Sequence, residues 1–272
     1  KRHRITPAYL AKISFFRNRK KSVLTILSMG LCGIIFFFAA SYQSSFNAES
    51  MARYWDIRHG DFKISVDLEN DSENLDAVLR KEYFSDLNRN IATMDGVRNV
   101  FTYATLPAEF STSNDVADET LLMGYNEKDM DSLTAAIVSG NITENTELIV
   151  SDPDRVYDVY HWKPQIGNTV TFNFKNNSGK TITKTFKIGA ITSSNDGMGG
   201  YIFRMPEKMM HELVGYDCTY AIEVQTEPES IQEAENKIRS LIAGNDEVSL
   251  QTLQDFTKEH QEDNQAGFTL AY

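Results

Sequence analysis

Arg17-Asn18-Arg19-Lys20-Lys21-Ser22-Val23-Leu24-Thr25-Ile26-Leu27-Ser28-Met29-Gly30-Leu31-Cys32-Gly33-Ile34-Ile35-Phe36-Phe37-Phe38-Ala39-Ala40 is a basic cluster feeding straight into an apolar run. A helix rises about 1.5 Å per residue, so roughly 20 residues cross the ~30 Å hydrocarbon core of a bilayer. No charged residue lies between Val23 and Asn47. Thr25, Ser28 and Ser41 can return their hydroxyls to backbone carbonyls, which makes them tolerable in lipid. The stretch therefore reads as a transmembrane helix over 23–42, with Val23, Leu27, Leu31, Ile34 and Phe38 in the span and Arg17, Arg19, Lys20 and Lys21 as its anchor.

Charge orients that helix. Lys1, Arg2, Arg4, Lys12, Arg17, Arg19, Lys20 and Lys21 precede Val23, and no Asp or Glu occurs before Glu49. Basic residues are retained on the cytoplasmic side, so residues 1–22 are cytoplasmic and everything after Tyr42 lies outside. With 8 of the 27 basic residues inside and all 38 acids outside, the outer portion carries a formal charge of about −19, against −11 for the whole chain. A secretory signal peptide would have a shorter apolar core and a better cleavage site than Phe38-Ala39-Ala40-Ser41. A buried helix of a soluble protein would not crowd basic residues at one end only.

The 272 residues allow one membrane segment and one or two outer modules. The chain opens on Lys1 rather than Met, and after a polar stretch it turns apolar at Ala266-Gly267-Phe268-Thr269-Leu270-Ala271-Tyr272. Both ends suggest a piece of a longer polypeptide, with residues 263–272 starting a second transmembrane helix; a core strand or a disordered tag is the other reading of that end. Cys32 and Cys218 fall in different compartments and cannot form a disulfide, so the outer module depends on its packed core. Its acidity suits solubility, or attraction of a cationic ligand, and excludes a nucleic-acid partner.

Before the membrane, Tyr9, Leu10, Ile13 and Phe16 recur at helical spacing behind Pro7, which predicts a short amphipathic helix on the cytoplasmic leaflet, or else an unstructured basic leader. Beyond it, 43–58 is helix-compatible and extends the span as a stalk, ended by Gly60. Phe62, Ile64, Val66 and Leu68 alternate as an amphipathic strand. A helical turn around Leu75–Leu79 and a helix capped by Ser85 and closed by Asp95-Gly96 follow, then a strand over 97–106. The same strand, helix, strand order returns at Tyr220–Gln225, a helix opened by Pro228 and closed by Gly244, and Val248–Leu250. Two such βαβ halves are the ingredients of a split, ferredoxin-like α+β layer. Between them lie a strand over 120–125, a helix over 130–138, a strand over 147–150, and a hairpin of 169–174 with 181–191 around Asn176-Asn177-Ser178-Gly179. Residues 120–215 therefore read as a β-rich insert.

No catalytic constellation emerges. His3, His59, His161, His211 and His260 are scattered, without an HExxH pair. Asn195-Asp196-Gly197-Met198-Gly199-Gly200 lacks the Gly-Lys-Ser/Thr ending of a phosphate loop and reads as a flexible loop able to carry a ligand or partner contact. The pairs in Asp152-Pro153-Asp154 and Glu127–Asp131 lack the Gly and Glu of a calcium loop. No catalytic, metal or cofactor-binding residue is assigned.

The basic run entering Val23–Leu31, the α+β domain with its β-rich insert, and Glu147–Ser151, Ile166–Val170 and Phe186–Ile191 together resemble MacB/FtsX-like permease subunits of ABC transporters. Within that family the chain is most similar to bacterial permeases of the antimicrobial-peptide or bacitracin-export type. The resemblance implies a permease in a bacterial plasma membrane, with residues 43–262 extracellular. It implies a partner, a separate cytoplasmic ATPase that binds ATP and Mg, whose closure moves the outer domain through long stalk helices, for export of or resistance to peptides or other amphiphiles. Membrane lipid, a second permease half or a homodimer, and a cationic peptide or amphiphile are the further partners implied. By position, 1–22 lies near the ATPase, 43–60 is the stalk, 61–119 with 216–262 a porter-like subdomain, and 120–215 the β-rich one. The rival readings are the extracellular sensory domain of a receptor such as a sensor kinase, and a membrane-anchored enzyme.

Overall fold

The computed structural model describes residues 6–7, 19–66, 75, 79–81, 83–113, 116–194, 201–245 and 247–269. The chain divides into two units, Lys1–Asn47 and Ala48–Tyr272, and each has its own architecture.

The first unit holds helix α1, Arg19–Ser45. Among the described helices only this one is long and apolar enough to cross a bilayer, over Arg19–Tyr42. Its apolar side chains are exposed all round, as they are in a helix whose solvent is lipid. The Thr25 hydroxyl donates to the Lys21 carbonyl at 3.0 Å, which satisfies the one polar side chain in its second turn. Apart from Thr6 and Pro7, the expected leader helix lies outside the described residues. The expected stalk is not one continuous helix: α1 stops at Ser45, Phe46 and Asn47 are non-helical, and α2 starts afresh over Ala48–Trp55. Asn is a preferred N-cap, so Asn47 suits the position at which a new helix starts.

In the second unit four antiparallel strands form a sheet in the order β10-β1-β9-β2, with β1 Phe62–Val66, β2 Val97–Thr112, β9 Thr219–Thr226 and β10 Val248–Thr252. This is the split ferredoxin-like arrangement: the two βαβ halves interleave, so each half supplies an inner and an outer strand. Helices α3 (Tyr83–Ala92) and α7 (Ile231–Ile242) cover one face through Phe84, Leu87, Ile91, Ala234 and Ile238. Phe62, Ile64 and Val66 meet them from β1, each buried. Burying each is worth about 1.5–3 kcal/mol relative to exposure. Leu75 and Leu79, both helical, are buried in the same core. The turn after α3 needs Gly96, whose φ is +82° and whose Cβ, if present, would lie 2.4 Å from the Ser230 Cβ.

Strand β2 is twice as long as a sheet of this size requires, and its far half enters a second sheet. There the pairings close a ring of six strands, β2-β3-β8-β5-β7-β6 and back to β2, with β3 Ala117–Tyr125, β5 Leu148–Ser151, β6 Thr169–Lys175, β7 Thr181–Thr192 and β8 Phe203–Pro206. Strand β4, Ile137–Gly140, adds to β7 as an edge. Closure removes the open sheet edges a free sheet would expose. The ring is filled by Phe110, Phe172 and Phe203, whose ring centroids lie 4.9 to 6.4 Å apart.

Several boundaries differ from the sequence reading. The β2 strand runs to Thr112 rather than 106, because Pro107 lacks only an N–H and the partner strands supply pairing around it. Helix α3 starts at Tyr83, so Ser85 lies inside its first turn and is not the cap. The helix expected over 130–138 ends as α4, Met130–Ala135, and β-branched Ile137 and Val138 go into β4. Helices α5 (Pro153–Tyr160) and α6 (Glu207–Val214) were not expected, and α8 (Leu253–Thr269) starts ten residues before the helix expected from 263.

Candidate functional site

Among the described residues, α3 and α7 cover only the first face of the four-stranded sheet. Along β9 the side chains of Ile222 and Val224 enter the core, so Ala221 and Glu223 point the other way, opposite Tyr103 and Phe101 of β2 and beside Lys63 of β1. A carboxylate in the middle of a sheet should be wet, yet Glu223 is only 2% exposed. The segment between α2 and β1 covers it. Its Oε1 accepts from the Arg58 backbone N–H at 3.1 Å, and its Oε2 from those of His59 at 2.7 Å and Gly60 at 3.1 Å. Three consecutive amides converging on one carboxylate make charge-assisted hydrogen bonds, the stronger kind.

The rest of that segment is fastened just as closely. Asp61 Oδ2 accepts from the Thr226 N–H at 2.8 Å and hydroxyl at 3.0 Å, and the Asp61 N–H donates to the Val224 carbonyl at 2.7 Å. Arg53 donates to the Gly60 carbonyl and sits 3.9 Å from Asp61 Oδ1. Gly60 approaches β9 so nearly that a Cβ would stand 2.8 Å from the Val224 nitrogen and 2.9 Å from its oxygen. Lys63 donates from Nζ to the Asp56 carbonyl at 2.7 Å and lies over the Phe256 ring. Burial holds its pKa below the usual lysine value, against the pull of Glu223 and Asp56.

The helix that leaves the domain packs on the helix that enters it. Ala52 and Ile57 bury against Phe256 and Leu253 of α8, and His260 Nε2 meets Asp56 Oδ2 at 2.7 Å. A reciprocal cap starts α8: the Thr252 N–H donates to Asp255 Oδ2 at 2.8 Å and the Asp255 N–H to the Thr252 hydroxyl at 3.0 Å.

On the other side the same polar face reaches the barrel. Lys128, just after β3, donates to the Thr102 carbonyl and places its ammonium 4.1 Å from the centre of the Tyr103 ring. Burial lowers its pKa, opposed by Asp129 and Glu207. Tyr103 buries its hydroxyl beside Glu223, and burial followed by the Glu223 charge pushes its pKa well above the usual tyrosine value. Glu207, opening α6, accepts from Asn126 Nδ2 at 2.6 Å and from the Thr102 hydroxyl at 3.4 Å. A polar path thus runs from His260 and Asp56 through Glu223 and Tyr103 to Lys128 and Glu207.

A second feature lies at the seam of the barrel. Strands β2 and β6 pair only over Glu109–Thr112 and Val170–Asn173. Beyond that they part, and a groove of about 610 Å³ opens between Pro107 and Ala108 on one side and Phe174 and Lys175 on the other. Glu109 and Glu119 face each other in register on its wall. Like charges directly opposite destabilise a sheet, so this wall favours a cation nearby.

Of the residues singled out in the sequence, Arg19, Lys20 and Lys21 form the exposed first turn of α1, and Val23, Leu27, Leu31, Ile34 and Phe38 lie along it with exposed side chains. Arg17 and the loop 195–200 lie outside the described residues. Glu223 was missed. The signal for it was a lone acid inside Ala221-Ile222-Glu223-Val224, where a sheet with a solvated second face explains it equally well until the loop at 58–60 is placed.

No protein-family model and no curated protein matches the chain. Among solved structures, it is similar to the periplasmic region of MacB from Actinobacillus actinomycetemcomitans, at 13% identity and a TM-score of 0.47, over 76% of this chain and 96% of that one. It is also similar to the extracellular domain of the noncanonic ABC-type transporter YknZ from Gram-positive bacteria, at 14% identity and a TM-score of 0.41, over 70% of this chain and 99% of that one.

Proposed function

We propose that the chain is the membrane-anchored, extracytoplasmic portion of a permease subunit of a bacterial ABC transporter of the MacB/FtsX-like kind. The observation that carries this reading is the joint at Glu223. The chain enters and leaves the domain by two helices locked side by side, and the entering helix is held to the sheet by three amides on one buried carboxylate. A domain attached so rigidly follows the helices that bear it, as a permease needs if events at the membrane are to move its outer part. The basic-to-apolar start and the motif resemblances support the same reading.

In this account the ATP-hydrolysing groups, with ATP and Mg, belong to a cytoplasmic partner, and this chain contributes no catalytic residue. Residues 23–42 span, 43–60 link, 61–119 with 216–262 form the porter-like layer, 120–215 the β-rich lobe, and 263–272 begin a second span. Peptides or other amphiphiles are the cargo or the stimulus, drawn toward the acidic outer surface.

The test is a pull-down of the full-length protein from native membranes. Co-purification of a cytoplasmic ABC ATPase whose rate changes with the permease present is the expected result. Reproducible absence of any ATPase, with a signalling kinase in its place or in the same polypeptide, would favour the sensory-receptor reading.

A further inference from the structure

Helix α2 has an apolar face wider than its partner covers. At about 100° per residue, Tyr54, Met51, Trp55, Ala48 and Ala52 fill a continuous arc of roughly 160°. Ala48 and Ala52 are buried, while Met51, Tyr54 and Trp55 are 37%, 53% and 58% exposed. The two aromatic rings meet edge to face at 4.8 Å, so they form one fixed amphipathic ridge. The neighbouring α8 shows the opposite character: Lys258, Glu259, Gln261, Glu262, Asp263 and Gln265 are all exposed and suit water.

We propose that the Met51–Tyr54–Trp55 ridge docks into the headgroup layer of the outer leaflet of the membrane. The proposal rests on the reading that α1 spans the bilayer and that residues 263–272 begin a second span. Chain length confines the choice of occupant. Only Phe46 and Asn47 separate α1 from α2, and the three peptide steps from Ser45 to Ala48 reach about 10 Å at most. On the return path Asp56 is held to His260, and six helical residues, about 9 Å, lead from there to Ala266, where the second apolar run begins. The headgroup layer is about 5–8 Å deep on each side of the hydrocarbon, comparable with both tethers, so the start of α2 and the level of Asp56 stay in that layer or within a few ångströms of it. Trp and Tyr are the side chains that favour this layer, with the ring body in the acyl boundary and the N–H or O–H in water.

The chain contains two tryptophans, and the other, Trp162, is 3% exposed in the core. A Trp162→Phe variant therefore reports on Trp55 alone. The 272-residue chain is placed in lipid nanodiscs containing phosphatidylcholine brominated either high or low on its acyl chains. Loss of about half of the Trp55 emission with the shallow label, and much less with the deep one, is the expected result. The wild type guards against a folding defect in the variant, since it must lose the same absolute emission. Unquenched Trp55 in a chain that resists alkaline carbonate extraction would overturn the inference and leave the spanning reading intact. Emission shielded from acrylamide but untouched by brominated lipid, and dependent on protein concentration, would overturn it in favour of a protein partner. Release of the chain by carbonate would remove the spanning reading and the inference with it.

Discussion

His260 Nε2 lies 2.7 Å from Asp56 Oδ2, joining the helix by which the chain leaves its folded domain to the end of the helix by which it enters. Both side chains are less than a third exposed, so the pair is shielded better than a surface ion pair. His260→Ala should cost about 1–2 kcal/mol. Hydrogen exchange should rise in residues 48–56 and stay unchanged in β1 and β9; uniform loss of protection would mean that the pair supports the whole fold rather than the helix junction.

Glu223→Ala leaves three backbone N–H groups under cover without an acceptor. The loss should be about 3 kcal/mol or more, by the cost of each unsatisfied donor. Glu223→Gln keeps one oxygen and should fall between the variant and the wild type in a urea titration. Equal stability of all three proteins would mean that the loop takes its bonds elsewhere.

Gly60→Ala would press a methyl group to within 2.8 Å of the Val224 backbone. Because backbone on both sides must shift, the change should destabilise by about 2–3 kcal/mol. Thermal unfolding of the variant measures it, and a melting point equal to the wild type would show that the loop stands farther off β9.

The buried ammonium of Lys63 gives a pH signature. Its folded pKa is held below 10.5, so the unfolded chain binds its proton more readily. Stability from this group is greatest above 10.5 and is lost as pH falls through the folded value. Lys63→Met should therefore flatten the rise in stability on the alkaline approach to 10.5. An unchanged slope in urea titrations across that window would contradict the burial.

The facing carboxylates at the barrel seam give the opposite kind of variant. Glu119→Thr removes a like-charge pair and should stabilise by about 0.5 kcal/mol at low salt, with the gain shrinking as salt is added. If the groove takes a cationic amphiphile, the same substitution should weaken binding measured by titration calorimetry, and salt should weaken the wild type more than the variant.

The α+β architecture was legible because it rests on local periodicity. Phe62, Ile64 and Val66 alternate, and the helix at 231–242 repeats its apolar residues over a Pro start and a Gly stop. What escaped was set by partners far away in the chain. The six-strand closure depends on β6 pairing with both β2 and β7, which no window of sequence contains. Helix α5 was announced by Asp152-Pro153, where Asp152 caps the Arg155 N–H with Pro153 in the first turn, but those carboxylates were weighed only as a calcium loop and not as a helix start. Helix α8 was announced by Thr252 and Asp255, three apart. The joint was the least legible part, because Glu223 becomes a fastening point only when residues 58–60, more than 160 positions earlier, fold over it.

The most direct measurement is a distance between spin labels at Glu49 on α2 and Thr185 on β7, both exposed, in the full-length protein reconstituted with the ATPase proposed as its partner. One narrow distance is expected, the same without nucleotide and with ATP trapped, and a broadened one in Glu223→Ala. A wild-type distance that shifts or broadens with ATP would contradict it, because the helix would then slide on the sheet instead of carrying it.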